Sequence, residues 1–145
     1  MLDPIVRTID PKLVIVTMGP ILVTGYAPDT FLTIATEDDF YEKVRGADGS
    51  IERYAKNVYD AMITLTLLGT SLANELLMAL HEADKLANLG KVPFLMKDLN
   101  GTTLAAFPQA WIKKTPDLEV SSSAVTREWV IDTGPGITHI GTNIL

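Results

Sequence analysis

Residues 61–68 constrain the fold more than any other stretch of this chain. Ile63, Leu65 and Leu67 alternate with Met62, Thr64 and Thr66, a period of two that fits a strand with one buried face. Such a strand needs neighbours, and the chain supplies them. Residues 13–18 are a short β-branched run closed by Gly19-Pro20, and residues 21–26 read as a second strand ending at Ala27-Pro28-Asp29. Residues 31–36 alternate again, and residues 40–45 read as an extension past the acidic step Glu37-Asp38-Asp39. Gly46-Ala47-Asp48-Gly49 is a turn with the favoured Asp-Gly pair, followed by a polar return over 51–57. Residues 92–99 and 102–112 flank Asn100-Gly101, a two-residue hairpin signal. Residues 126–132 place Trp129 and Ile131 on one face and Glu128 and Asp132 on the other, until Gly134-Pro135-Gly136 ends the strand.

One helix interrupts this pattern. Ser71 is a good N-cap, Glu75 suits the positive end of the helix dipole, and Gly90 reads as the stop. Leu72, Leu76, Leu80, Ala83 and Ala87 form one stripe, widened by Ala73 and Leu77, with Glu82 and Lys85 on the other side. A stripe on a single helix must lie against a sheet. The expectation is a mainly β chain, a β-sandwich or barrel with one flanking α-helix. It forms a single domain over 1–145, with an extended hairpin arm at about 37–60 and a tail at about 134–145.

Chemistry is conspicuous by what the residues exclude. Twelve Lys and Arg against 18 Asp and Glu give a net charge of −6, which argues against binding nucleic acid by broad phosphate neutralisation. Cysteine is absent, excluding disulfides, thiolate metal sites and cysteine nucleophiles. His81 falls mid-helix and His139 in the tail, and neither neighbours a nucleophile motif, so both read as packing or surface residues. Gly134-Pro135-Gly136 lacks the Gly-Lys-Ser/Thr ending of a phosphate loop. Trp111 and Trp129 read as core residues, since no basic stripe accompanies them. No catalytic residue, metal site or cofactor site is expected, and the chain does not read as an enzyme.

Between Glu37 and Asp60 lie seven acids and four bases. Adjacent acids on a strand face opposite ways, which makes a shared metal pocket awkward. The stretch reads as an arm that is solvated or faces another subunit. Hydrophobic residues make up 47% of the chain, enough that some apolar surface is expected to meet other chains. Met1-Leu2-Asp3-Pro4-Ile5 has neither a basic nor an apolar leader region, so no secretory signal is expected. No apolar run approaches the roughly 20 residues that span a bilayer. The protein is therefore expected to be made in the cytoplasm, to stay soluble and to have no membrane partner. Asn100-Gly101-Thr102 then reads as a turn and not as a glycosylation site.

The order of features resembles the tail tube proteins of contractile-tailed bacteriophages. The matching stretches run from Asp10-Pro11-Lys12 and Thr24-Gly25-Tyr26-Ala27 through Gly46-Ala47-Asp48-Gly49 and Ile63-Thr64-Leu65-Thr66-Leu67. They continue with Thr70-Ser71, Lys97-Asp98-Leu99-Asn100-Gly101-Thr102-Thr103-Leu104, Ala110-Trp111-Ile112 and Arg127-Glu128-Trp129. The residues after Gly134 have no match. The resemblance implies a structural virion protein whose protomers close into hexameric rings. Rings stack into a hollow conduit for DNA ejection, which DNA crosses without specific binding. A contractile sheath wraps the tube, touching the helix face or nearby outer loops, and baseplate and tail-terminator proteins meet its ends. The resemblance also assigns ring-to-ring contacts to the arm: Lys43, Arg45, Asp48, Gly49, Glu52, Arg53 and Lys56. Glu37, Asp38, Asp39 and Glu42 either line the lumen, where acids repel phosphate over a Debye length of ~8 Å, or pair with arm cations of a neighbouring ring, the preferred role. Two alternatives stand beside this reading. One is the tube protein of a phage-derived bacteriocin or injection system, and the other a monomeric β-barrel that binds a small ligand.

Overall fold

The computed structural model describes residues 6–144, so the reading of residues 1–5 and the last residue of the tail fall outside the described residues. In chain order the elements are β1 (Val14–Met18), β2 (Ile21–Leu22), β3 (Leu32–Thr36), β4 (Tyr41–Arg45), β5 (Ile51–Ala55) and β6 (Ala61–Leu68), then α1 (Leu72–Ala87). They continue with β7 (Val92–Asp98), β8 (Leu104–Lys114), β9 (Thr126–Thr133) and β10 (Ile137–His139). The chain is mainly β with one flanking helix, as expected. One antiparallel sheet runs β2-β1-β7-β8-β9-β6-β3, with β10 also on β8, while β4 and β5 form a separate pair.

The alternation in residues 61–68 sets the centre of the sheet. Ile63 lies opposite Ile34 of β3 and Ile131 of β9, and Leu65 lies opposite Leu32 and Trp129. Facing pairs put their side chains on one face, so one layer of the core crosses three strands. Val16, Met18, Phe94, Phe107 and Ile112 continue that layer across the rest of the sheet. Each such side chain contributes roughly 1.5–3 kcal/mol by leaving water.

The two ends of the sheet meet. After β2 the chain leaves β1 and crosses to β6, where Leu68 N–H donates to Gly25 O (2.8 Å) and Ala27 N–H to Thr66 O (3.1 Å). Tyr26 stacks on Phe31, and its hydroxyl donates back to Val14 O of β1 at 3.0 Å. The expected strand over 21–26 is therefore a two-residue ladder followed by a crossing segment. Gly25 (φ +75°) makes the crossing possible, because a Cβ there would sit 2.7 Å from Ser71 Cβ.

The helix follows its sequence at the start and departs from it later. Ser71 Oγ accepts from Ala73 N–H at 3.2 Å, the capping bond expected. The stop is Asn88 in the left-handed region (φ 56°), not Gly90, whose N–H donates to the Asp84 side chain at 3.1 Å. The buried line is Ala73 and Leu77, with Leu80 half-buried. Leu72 and Leu76, expected on the core stripe, are 65% and 43% exposed. The helix lies on the sheet through small and central residues, which turns its leading leucines outward.

Three further readings change. Residues 40–45 do not extend β3, because the chain bends at 37–38 and β4 pairs with β5 instead. The β7–β8 hairpin holds Asn100-Gly101 within a four-residue loop closed by the Asp98–Thr103 bond (3.1 Å), with Asn100 buried and donating to Asp10 O. Trp111 is not a core residue. Ala110 and Ile112 are buried on the core face, so Trp111 lies on the other face, opposite Asp132. Trp129 is buried as expected, at 2% exposure.

Candidate functional site

The β4–β5 hairpin carries Lys43, Arg45, Asp48, Gly49, Glu52 and Arg53, with Lys56 just past its second strand, and all of β5 is exposed. Its loop is built locally. Gly46 N–H donates to Ser50 O (2.7 Å), Gly49 takes φ +89°, and Asp48 Oδ1 accepts from Ser50 N–H at 3.0 Å. That bond holds the Asp48 carboxyl below the usual range. A three-residue loop with glycine in the left-handed position is a standard solution for strands with right-handed twist.

Register sorts the charges onto two faces. Tyr41, Lys43 and Arg45 lie opposite Ala55, Arg53 and Ile51, and Glu42 and Val44 lie opposite Tyr54 and Glu52. On the second face Tyr54 OH donates to Glu42 at 2.6 Å, and Lys56 Nζ bridges Asp38 (2.9 Å) and Glu42 (2.5 Å). Hydrogen bonds from Lys56 depress the pKa of both carboxyls, and these same bonds raise that of Lys56. The first face is cationic. Lys43 stands directly opposite Arg53, a like-charge pairing that destabilises an isolated hairpin. Arg53 also sits 4.2 Å above the centre of the Tyr41 ring.

The four acids Glu37, Asp38, Asp39 and Glu42 do not form one patch. Asp38 and Glu42 are drawn together by Lys56. Asp39 is exposed, its N–H donating to Asp38 Oδ1 at 2.8 Å. Glu37 turns away from them: hydrogen bonding with the Asp132 side chain, then burial and the charges of Asp132 and Asp60, raise its pKa, against the pull of Lys113. The Glu37–Asp132 approach, across residues 95 apart in the chain, had no sequence signal. The two faces of the hairpin did have one, in the alternation of 41, 43 and 45 with 42 and 44.

Although residues 23–27 link the β1 end of the sheet to β6, two of its strands are paired along one edge. β3 is hydrogen-bonded along one edge, to β6, and β10 along one edge, to β8. Among the described residues no cluster of metal-ligating side chains occurs. No helix among them is long and apolar enough to cross a membrane. His81 is half-buried mid-helix, and His139 is exposed on β10.

No family model matches the chain. It is 32% identical over 111 residues to structural protein ORF10 of Pseudomonas phage KPP10, a match covering 75% of this chain and 64% of that relative's length. The fold matches the tube-terminating cap of the anti-feeding prophage with TM-score 0.60 and 12% identity, over 96% of this chain and 95% of that one. It matches the sheath/tube terminator of the extracellular contractile injection system PVC with TM-score 0.63 and 16% identity, over 94% and 100%. A chain of the PVC sheath-tube complex matches with TM-score 0.57 and 16% identity, over 91% of both.

Proposed function

We propose that this chain, a homologue of a phage structural protein with the fold of contractile tube and terminator components, is a self-assembling, non-enzymatic subunit of a contractile phage tail tube. Copies close into hexameric rings, and the rings stack into a conduit for DNA inside a contractile sheath. Its partners are itself, the sheath, and the proteins at the two ends of the tube.

The observation that carries this reading is the hairpin. A 15-residue segment from Tyr41 to Ala55 leaves the sheet with its second strand wholly exposed. An arm of this kind acquires a packed environment when it meets another chain. Lys43, Arg45, Asp48, Gly49, Glu52 and Arg53 are its contact residues, while Lys56 braces it from within. The open edges of β3 and β10 support the same reading, because exposed edges invite strand pairing and ring closure removes them. Heterologous contacts that close make rings, and contacts that repeat along an axis make tubes.

Negative-stain microscopy of the purified protein tests the proposal. Rings with an axial hole, or stacks of them, are the expected image, and a persistent monomer at high concentration overturns it. A second reading is a tube terminator, supported by the match over the full length of the PVC terminator chain. Single rings that cap a tube without extending it would favour that reading.

A further inference from the structure

We infer that the cationic face of the β4–β5 hairpin of one copy docks in the groove between the first turns of α1 and the loop after β8 of the next copy. The inference rests on the reading that copies stack, and it names the surface that receives the arm.

The docking face combines charge with apolar area. Lys43, Arg45 and Arg53 share it with Tyr41 and Ile51, which are 50% and 56% exposed. Among the described residues no carboxylate lies within salt-bridge distance of these three cations, whereas Lys56 on the opposite face holds two. The hairpin pairs its Lys56 with acids on one face, which stays net negative, and leaves the other face positive.

The groove is the complement in both respects. It has a volume of about 530 Å³, with Met78 and Trp129 among its lining residues beside Pro116 and the exposed Leu118, and with Glu75 and Asp117 as its acids. A smaller polar notch behind the loop, on the opposite face of β9, holds Glu119 and Glu128 and is separate from the groove. The one cation among the groove's lining residues is Arg127, which donates to Glu119 O at 3.3 Å. Two acids against one cation leave the groove net negative, over an apolar lining that suits Tyr41 and Ile51.

Their placement makes the contact intermolecular. The arm joins the sheet at Ala61, the first residue of β6, and the groove lies beside Gly69, just past its last. Eight residues of strand separate them by about 24 Å. The exposure of all of β5 means that the hairpin does not fold back over its own sheet. A positive arm at one end and a negative groove at the other match when copies line up head to tail, and such a contact repeats without limit.

The chain contains no cysteine, so a disulfide reports proximity cleanly. Ser50→Cys at the arm tip and Leu118→Cys at the groove are made in separate proteins, mixed, and oxidised under assembly conditions. The expected product is a 50–118 heterodimer in excess of either homodimer. Arg45→Glu with Arg53→Glu in the arm copy lowers its yield about tenfold, and Glu75→Lys with Asp117→Lys in the groove copy restores it. Circular dichroism confirms that each variant folds. Rings or tubes without the 50–118 link overturn the groove and leave self-assembly standing. Absence of both overturns the two together. A link insensitive to both charge reversals overturns the pairing of charges proposed here.

Discussion

The indole Nε1–H of Trp129 donates to the side-chain oxygen of Asn74 at 2.9 Å, joining the first turn of α1 to strand β9. The amide nitrogen of Asn74 donates in turn to Leu68 O (2.8 Å) and Ser71 O (3.2 Å). One side chain thus ties together the end of β6, the helix cap and a buried tryptophan. Asn74→Ala leaves the Trp129 donor without this acceptor, and destabilisation by about 1–3 kcal/mol is expected in urea unfolding. In a Trp129→Phe background the same substitution costs less, because the donor is already gone. Equal costs in both backgrounds would show that the bond does not hold the helix.

The inward and outward leucines of α1 should differ sharply. Leu77 is fully buried, and Leu77→Ala is expected to cost about 2–5 kcal/mol. Leu72 is 65% exposed, and Leu72→Ala should stay within about 0.5 kcal/mol of the parent. Thermal or urea unfolding of the pair decides which stripe faces the core. A larger loss at Leu72 would return the helix to the orientation its sequence suggested.

Acid should loosen the hairpin. Asp38 and Glu42 have lowered pKa values through Lys56, so the stability they add is present above the usual carboxylate range and is lost as pH falls through the lowered values. Lys56 has a raised pKa, so its share is present below the usual lysine value and is lost only as pH rises through the raised one. Hydrogen-exchange protection of the hairpin amides, corrected for the intrinsic pH dependence of exchange, should therefore be flat near neutrality and fall relative to the main sheet below about pH 4. Lys56→Met removes that acid step. Glu37 runs the opposite way: its raised pKa stabilises below the usual value and is lost as pH rises through the higher one.

Much of the scaffold was legible in local pattern. The alternation of β6, the Ser71 cap and the Gly46–Gly49 turn all rest on interactions between residues close in sequence, or on a period that a single strand imposes. The readings that changed depended on distant partners. Trp111 and Trp129 look alike in sequence, yet the burial of Ala110 and Ile112 on β8 turns Trp111 away from the core. Gly90 looked like the helix stop until Asn88 took the left-handed position two residues earlier.

The candidate site divides in the same way. That residues 37–60 form a polar arm followed from composition and the Asp-Gly turn. That Arg53 of β5 joins the cations of β4 on one face, while Lys56 bridges Asp38 and Glu42 on the other, required the exact pairing of β4 with β5. A shift of one residue would have mixed the charges.

By itself the sequence determined where most of the strands lie, where the helix begins and where the sharp turns fall, because these follow from side-chain periodicity and backbone preferences over a few residues. Only the tertiary structure decided which strands are neighbours, that residues 23–27 bridge from β1 to β6, and which face of helix and hairpin is turned outward. Those choices depend on the burial of surfaces supplied by residues far apart in the chain, and no local pattern contains that information.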